Sequence, residues 1–178
     1  MISIEDWRPS IAEMFLEKQT LAALDHEGVF PFDLPGVAAT NEQIAAAEQS
    51  LGLMLNSEHR SFLTYADGWS YFYQNVTLLS TAELAESALR TLAVEAFEYT
   101  PELLEDLAIS VENVLPVAAS LEQADVFAMV TNDGVVGSKV LWIAEGELIE
   151  TFETFGEYFQ TMIAYTKRRI AKMQETRV

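Results

Sequence analysis

Apolar positions along the chain follow two rhythms. Up to about residue 110 they recur every three or four residues, as on one face of a helix; beyond that they gather in short β-rich runs. Ile4, Trp7, Ile11, Met14, Phe15, Lys18, Leu21 and Ala22 share one helical face. Pro9 fits that helix only in its first turn. The stretch "DHEGVFPFDLPGVAAT" has no period and is punctuated by Gly and Pro, so it reads as a linker or as a loop lying across the core. Thr40 and Gln43 then make a capping box. Ile44, Ala47 and Leu51 form an apolar stripe, and Gly52 stops the helix in the left-handed conformation. Ser57 caps a second helix with Phe62, Leu63 and Ala66 facing inward, and Asp67-Gly68 ends it. Trp69 to Leu79 reads as extended, with Trp69, Tyr71 and Tyr73 on one side of the strand and Phe72 on the other.

Ser80 or Thr81 caps the next helix, which runs on with Leu84, Ala85, Ala88, Leu89, Leu92, Ala96 and Phe97 inside. Thr100-Pro101 restarts a short helix, with Thr100 as cap. The runs "VLPVAAS", "DVFAMVT", "KVLWIAE" and "ELIETF" follow as strands. Asn132-Asp133-Gly134 and Glu145-Gly146 are turns among them, and "GVVG" reads as part of a turn. A last helix starts near Thr154 and buries Phe155, Tyr158, Phe159, Met162, Ile163, Thr166 and Ile170. Strands after helices predict an α+β fold, a mostly antiparallel sheet of about 4–6 strands packed against several helices.

Charge changes the picture. The 178 residues carry 28 acids against 10 bases, for a net charge of −18. From Asp25 to Glu157 there are 23 acids and three bases, whereas the two ends together are slightly basic. Such a field repels nucleic acid and anionic membrane and attracts basic partners; it also keeps an apolar-rich chain in solution. The acids gather around the Thr100-Pro101 break (Glu95, Glu98, Glu102, Glu105, Asp106, Glu112) and on the late turns (Asp133, Glu145, Glu147, Glu150, Glu153, Glu157). Either group reads as a solvated face or as a docking surface for a basic protein. Glu98, Glu102, Glu105 and Asp106, with Tyr71 or Tyr73 as an anchor, are the candidate partner-binding residues. Lys167, Arg168, Arg169 and Lys172 suit the C-terminal end of a helix dipole, with a nucleic-acid patch as the sharper reading.

Candidate chemistry is sparse. There is no cysteine, no HExxH, no P-loop, no EF-hand loop and no nucleophile elbow. His26 reads as a residue of a helix end and His59 as a partly exposed structural residue. No cofactor and no metal is expected. The start "MISIEDWRPS" lacks the basic, then apolar pattern of a signal peptide, so the expected location is the cytoplasm.

The stretch "AEQSLGLMLNSEHRSFLTYADGW" resembles the SUKH superfamily, which includes fungal cell-wall synthesis regulators and many bacterial immunity proteins. Glu48, Leu51, Gly52, Leu53, Leu55, Phe62, Leu63, Asp67, Gly68 and Trp69 carry the resemblance, with Val140-Leu141-Trp142 and Phe152, Phe155 and Phe159 later in the chain. Asn56 stands where the family usually has Pro, and the acidic stretch from Glu83 to Glu112 looks like an insertion or an elaboration. The resemblance spans about 34–163 of a single domain 1–178, with a helix and linker over 1–33 and the end of the last helix over 164–178. It implies that Leu51, Gly52, Phe62, Leu63, Gly68, Trp69, Phe155 and Phe159 are scaffold. It also implies a protein without catalysis that binds a cognate basic toxin, a nuclease or a deaminase. The alternative is a regulatory module without a toxin partner. A homo-oligomer is compatible with either.

Overall fold

Side chains at the helix ends set where each helix starts and stops. The computed structural model describes residues 6–120 and 125–176, so Ile4 of the first apolar face and the last two residues of 164–178 lie outside it. Pro9 sits in the first turn of α1 (Arg8–Leu24). Thr40 and Gln43 close the expected capping box on α2 (Asn41–Leu51), and Gly52 ends that helix at φ +65°. The cap of α3 (Ser57–Leu63) is Asn56 instead of Ser57: its side-chain oxygen accepts from the N–H groups of Glu58 and His59.

The run expected to be extended is a hairpin of β1 (Trp69–Tyr73) and β2 (Val76–Leu78), turned at Gln74 with φ +50°. The helix expected to run on to Phe97 is two helices, α4 (Thr81–Ala85) and α5 (Ala88–Glu98). Ser80 and Glu83 form a capping box on the first, and Ser87, in extended conformation, caps the second. That break resets the helical phase. Ala93 takes the inward position beside Phe97, and Leu92 is left 48% exposed. Pro101 opens α6 (Pro101–Leu107), and a 3₁₀ turn (Val111–Asn113) leads into β3 (Val114–Ala119). Then come β4 (Val126–Asn132), β5 (Val135–Ala144), β6 (Glu147–Phe152) and α7 (Phe155–Glu175), which Thr154 caps. Val135 to Gly137, expected in a turn, belong to β5.

The six strands form one antiparallel sheet in the order β1-β2-β3-β4-β5-β6. It is covered on both faces at its centre. In β4, Phe127 and Met129 point into a main core with α1, α3 and α7, whereas Val126 and Ala128 point into a smaller one with Ala93 and Phe97 of α5. Such alternation across two buried faces makes every residue of β3 buried.

Trp7 stands at the centre of the main core, edge-on to Phe62, Phe155 and Phe159 at 5.3, 5.7 and 5.3 Å between ring centroids. Burying a ring of this size stabilises by about 1.5–3 kcal/mol. Phe62, Leu63, Gly68, Trp69, Phe155 and Phe159 are all buried. Two residues expected beside them lie at the margin: Leu51 is half-buried and Gly52 is exposed. Gly52 ends α2 in the left-handed conformation, and a Cβ there would meet nothing within 4 Å.

The Gly/Pro-rich stretch is a loop lying across the core. Trp69 Nε1 donates to the Asp33 carbonyl at 2.9 Å, and Gly36 N–H donates to Gly68 O at 2.8 Å. The strand alternation expected at "WSYFY" fails because Tyr71 has φ +53° and the β1–β2 register shifts there. Trp69 and Phe72 consequently both enter the core, 5.7 Å apart, and Tyr71 turns outward.

Candidate partner-binding surface

The acidic break between α5 and α6 is built from local bonds. Ala93 and Phe97 anchor α5 to the smaller core, and Leu103 and Leu104 of α6 pack against the same cluster. The Thr100 hydroxyl donates back to the carbonyls of Ala96 and Phe97, at 3.3 and 3.1 Å, instead of capping α6. It thereby closes α5 while Pro101 starts the next helix on a new axis. Ala108, at φ +53°, ends α6.

With the apolar sides turned in, Glu98, Glu102, Glu105 and Asp106 are exposed. None of them pairs with a cation among the described residues. Tyr99 projects among them, 83% exposed. The β5–β6 turn joins this surface: a Cβ on Gly146 would stand 3.2 Å from Thr100 Cγ2. Glu145 and Glu147 of that turn are exposed as well. Asp125 is near enough to feel Glu145, and burial followed by that neighbour pushes its carboxyl up, against the bond from Trp142 Nε1 at 2.7 Å. The β5–β6 turn with its acids therefore lies against Thr100, next to the exposed Tyr99 and the α5–α6 acids.

The other late acids do local work. Glu157 accepts from Glu153 N–H at 2.7 Å at the start of α7, Glu153 pairs with Lys139 at 3.2 Å, and Glu150 accepts the Tyr165 hydroxyl at 2.6 Å. Tyr71 and Tyr73 lie apart from the α5–α6 acids. Tyr71 lines a cleft of about 490 Å³ with Ser70, Thr77, Glu83 and Ser87. Tyr73 leans toward Trp142 and Tyr165, with ring centroids 6.3 Å away in each case. The sequence alone does not single out Tyr99. Its signal was its position, between Glu98 and the Thr100-Pro101 break, where a helix end presents a side chain outward.

His59 is fully buried, in contrast to the expected partial exposure, because it faces Phe155 with ring centroids 4.7 Å apart. Burial lowers its pKa to about 4, and Nδ1 has no hydrogen-bond partner among the described residues. It is a neutral core residue. His26 is exposed beyond the end of α1. Among the described residues, no group of three or more His, Cys, Asp or Glu side chains is placed to hold a metal ion. No described helix is long and apolar enough to cross a membrane.

A comparison with curated proteins found no match. The family model described as SMI1 / KNR4 family (SUKH-1) matches residues 38–161, from the lead-in of α2 into the first third of α7. That span covers most of the chain and every strand of the sheet, and the α+β architecture agrees with it. The chain belongs to the SMI1 / KNR4 family (SUKH-1).

Proposed function

We propose that this protein is an immunity protein that neutralises a cognate toxin domain carrying a basic active-site groove, of the nuclease or deaminase type. The observation that carries the reading is the meeting of Glu98, Glu102, Glu105 and Asp106 with the Glu145–Glu147 turn around exposed Tyr99. A basic groove built to hold nucleic acid attracts such a surface, and the field speeds encounter to as much as ~10⁸–10⁹ M⁻¹s⁻¹ when steering is strong. Tyr99 supplies the rigid amphipathic ring on which interfaces concentrate their energy. The acids around it exclude wrong partners by charge. No bond is made or broken; occupation of the groove is the whole effect.

The test is co-expression with toxin domains of the nuclease or deaminase type, starting with any encoded in an adjacent reading frame. Protection of the cells and a co-purified complex are expected. Tyr99→Ala combined with Glu102→Lys and Glu105→Lys abolishes both while the chain stays folded. Survival that is independent of these positions, or the lack of any complex, refutes the reading and favours a regulatory module with another partner.

A further inference from the structure

On a chain of net charge −18, cations without acidic partners stand out. Arg8, Arg60, Lys139 and Lys167 each pair with a carboxylate. Arg168, Arg169 and Lys172 form no ion pair with any described residue, and all three are exposed on α7. Together with Tyr73 and Tyr165 they line a groove of about 240 Å³.

The helix dipole does not account for them. Its effect fades within the last turn, which reaches Lys172 but not Arg168 and Arg169, nearly two turns before Glu175. Like charges one turn apart destabilise a helix by about 0.2–0.5 kcal/mol per pair, so the cluster carries a small cost to α7. Both guanidinium groups are nonetheless held in place. Arg168 lies over the Tyr165 ring at 4.8 Å, and Arg169 over the Phe30 ring at 5.5 Å. Cations stacked in this way keep their N–H groups free for an oxyanion.

The two tyrosines differ in what they offer. Tyr165 spends its proton on Glu150. The Tyr73 oxygen accepts from Gln74 Nε2 at 2.9 Å, which leaves its own O–H proton free to donate into the groove. Burial is the main influence on Tyr73 and raises its pKa, so that proton stays in place at neutral pH.

We propose that the groove lined by Tyr73, Arg168, Arg169 and Lys172 binds a compact phosphate-bearing small molecule. Two guanidinium forks, an ammonium and one hydroxyl donor match the oxygens of a phosphate or diphosphate group. The volume is below the roughly 300–1,000 Å³ of sites that engulf drug-sized ligands, so the site takes the charged head of its ligand. An extended polyanion would have to run over the acidic remainder of the surface and is repelled there. A compact anion meets mostly the local field, because charges beyond about 8 Å are screened at physiological salt.

The test is calorimetric titration of the full chain with inorganic pyrophosphate at about 0.15 M salt, where charges beyond about 8 Å are screened. Saturable binding with a dissociation constant below about 1 mM is expected. Tyr73→Phe weakens it about tenfold, and the triple change Arg168→Gln, Arg169→Gln and Lys172→Gln weakens it by more than that. Lys139→Gln, which removes a cation outside the groove, leaves it unchanged. The triply substituted positions are exposed, so that variant stays folded. Absence of saturable binding, equal affinity in either groove variant, or a single-stranded oligonucleotide binding more tightly than pyrophosphate overturns the proposal. A nucleoside monophosphate and its nucleoside, titrated in parallel, distinguish recognition of the phosphate alone from recognition of the group it is attached to.

Discussion

The ammonium of Lys18 donates to the carbonyl oxygen of Tyr71. That bond joins the buried face of α1 to the one residue of β1 held at φ +53°, so a cation supports the kink that turns Tyr71 outward. Burial lowers the Lys18 pKa to about 8 from 10.5, only partly offset by the charge of Asp33. Between these two values the unfolded chain holds the Lys18 proton more tightly than the folded one, so folding stability rises with pH in that window. Unfolding in urea at pH 8 and pH 10 is expected to show a gain on the order of 2 kcal/mol from this group. Lys18→Met removes that component of the slope.

His59 gives a second pH dependence at the other end of the scale. Its folded pKa of about 4 lies below the ordinary 6.5. Above pH 6.5 the ring is neutral in both states and adds no pH dependence. As the pH falls toward 4 the unfolded chain takes up the proton and the folded chain does not, so stability is lost over that window, on the order of 2–3 kcal/mol. His59→Phe is expected to lose less stability than the parent between pH 7.5 and pH 5. An equal loss in both would assign the acid sensitivity to the carboxylates alone.

Three glycines should respond differently to the same methyl group. Gly52 has φ +65° but open space around it, so Gly52→Ala costs only the backbone strain, about 1 kcal/mol. At Gly68, φ is +78° and a Cβ would lie 2.7 Å from Ser80 N; at Gly36 it would lie 2.2 Å from Asp67 O. Both clashes are with backbone. Gly36→Ala and Gly68→Ala are expected to cost several times more than Gly52→Ala in chemical denaturation, with the Trp69 fluorescence environment altered as the Asp33–Trp69 contact loosens.

The density of acids predicts a response to salt. Raising sodium chloride from low to moderate concentration screens self-repulsion and raises the thermal midpoint. Replacing Glu98, Glu102 and Glu105 together with Gln raises the low-salt midpoint by a few degrees and flattens the salt dependence. An unchanged salt response would mean that these side chains are too far apart to repel one another.

The sequence was most legible where a local rule has no competitor. The Thr40–Gln43 box, the Gly52 stop, Pro9 in a first turn and Thr154 before the last helix depend on residues a few positions apart. Reading failed where tertiary contacts decide. The period of two at "WSYFY" gave way to a left-handed Tyr71 that Lys18 holds from another helix, and no spacing within the strand encodes that bond. His59, beside Arg60, reads as a partly exposed structural residue, yet Phe155, far along the chain, covers it. The clustering of Glu98, Glu102, Glu105 and Asp106 could be read from composition; the arrival of Glu145 and Glu147 beside Thr100 could not, because it depends on how the sheet presents its last hairpin.

Each strand of the sheet pairs with its neighbours in the chain, and only the β2–β3 junction is interrupted by a long excursion, α4 to α6. That seam is short, with Thr77 opposite Ala119 and Leu78 opposite Ala118. The excursion therefore behaves as a cassette: its outward residues can be rewritten without disturbing the pairing of the other strands, provided that Ala93 and Phe97 still plug the sheet beneath. Specificity would then be free to drift on this lobe at a pace the rest of the architecture does not share.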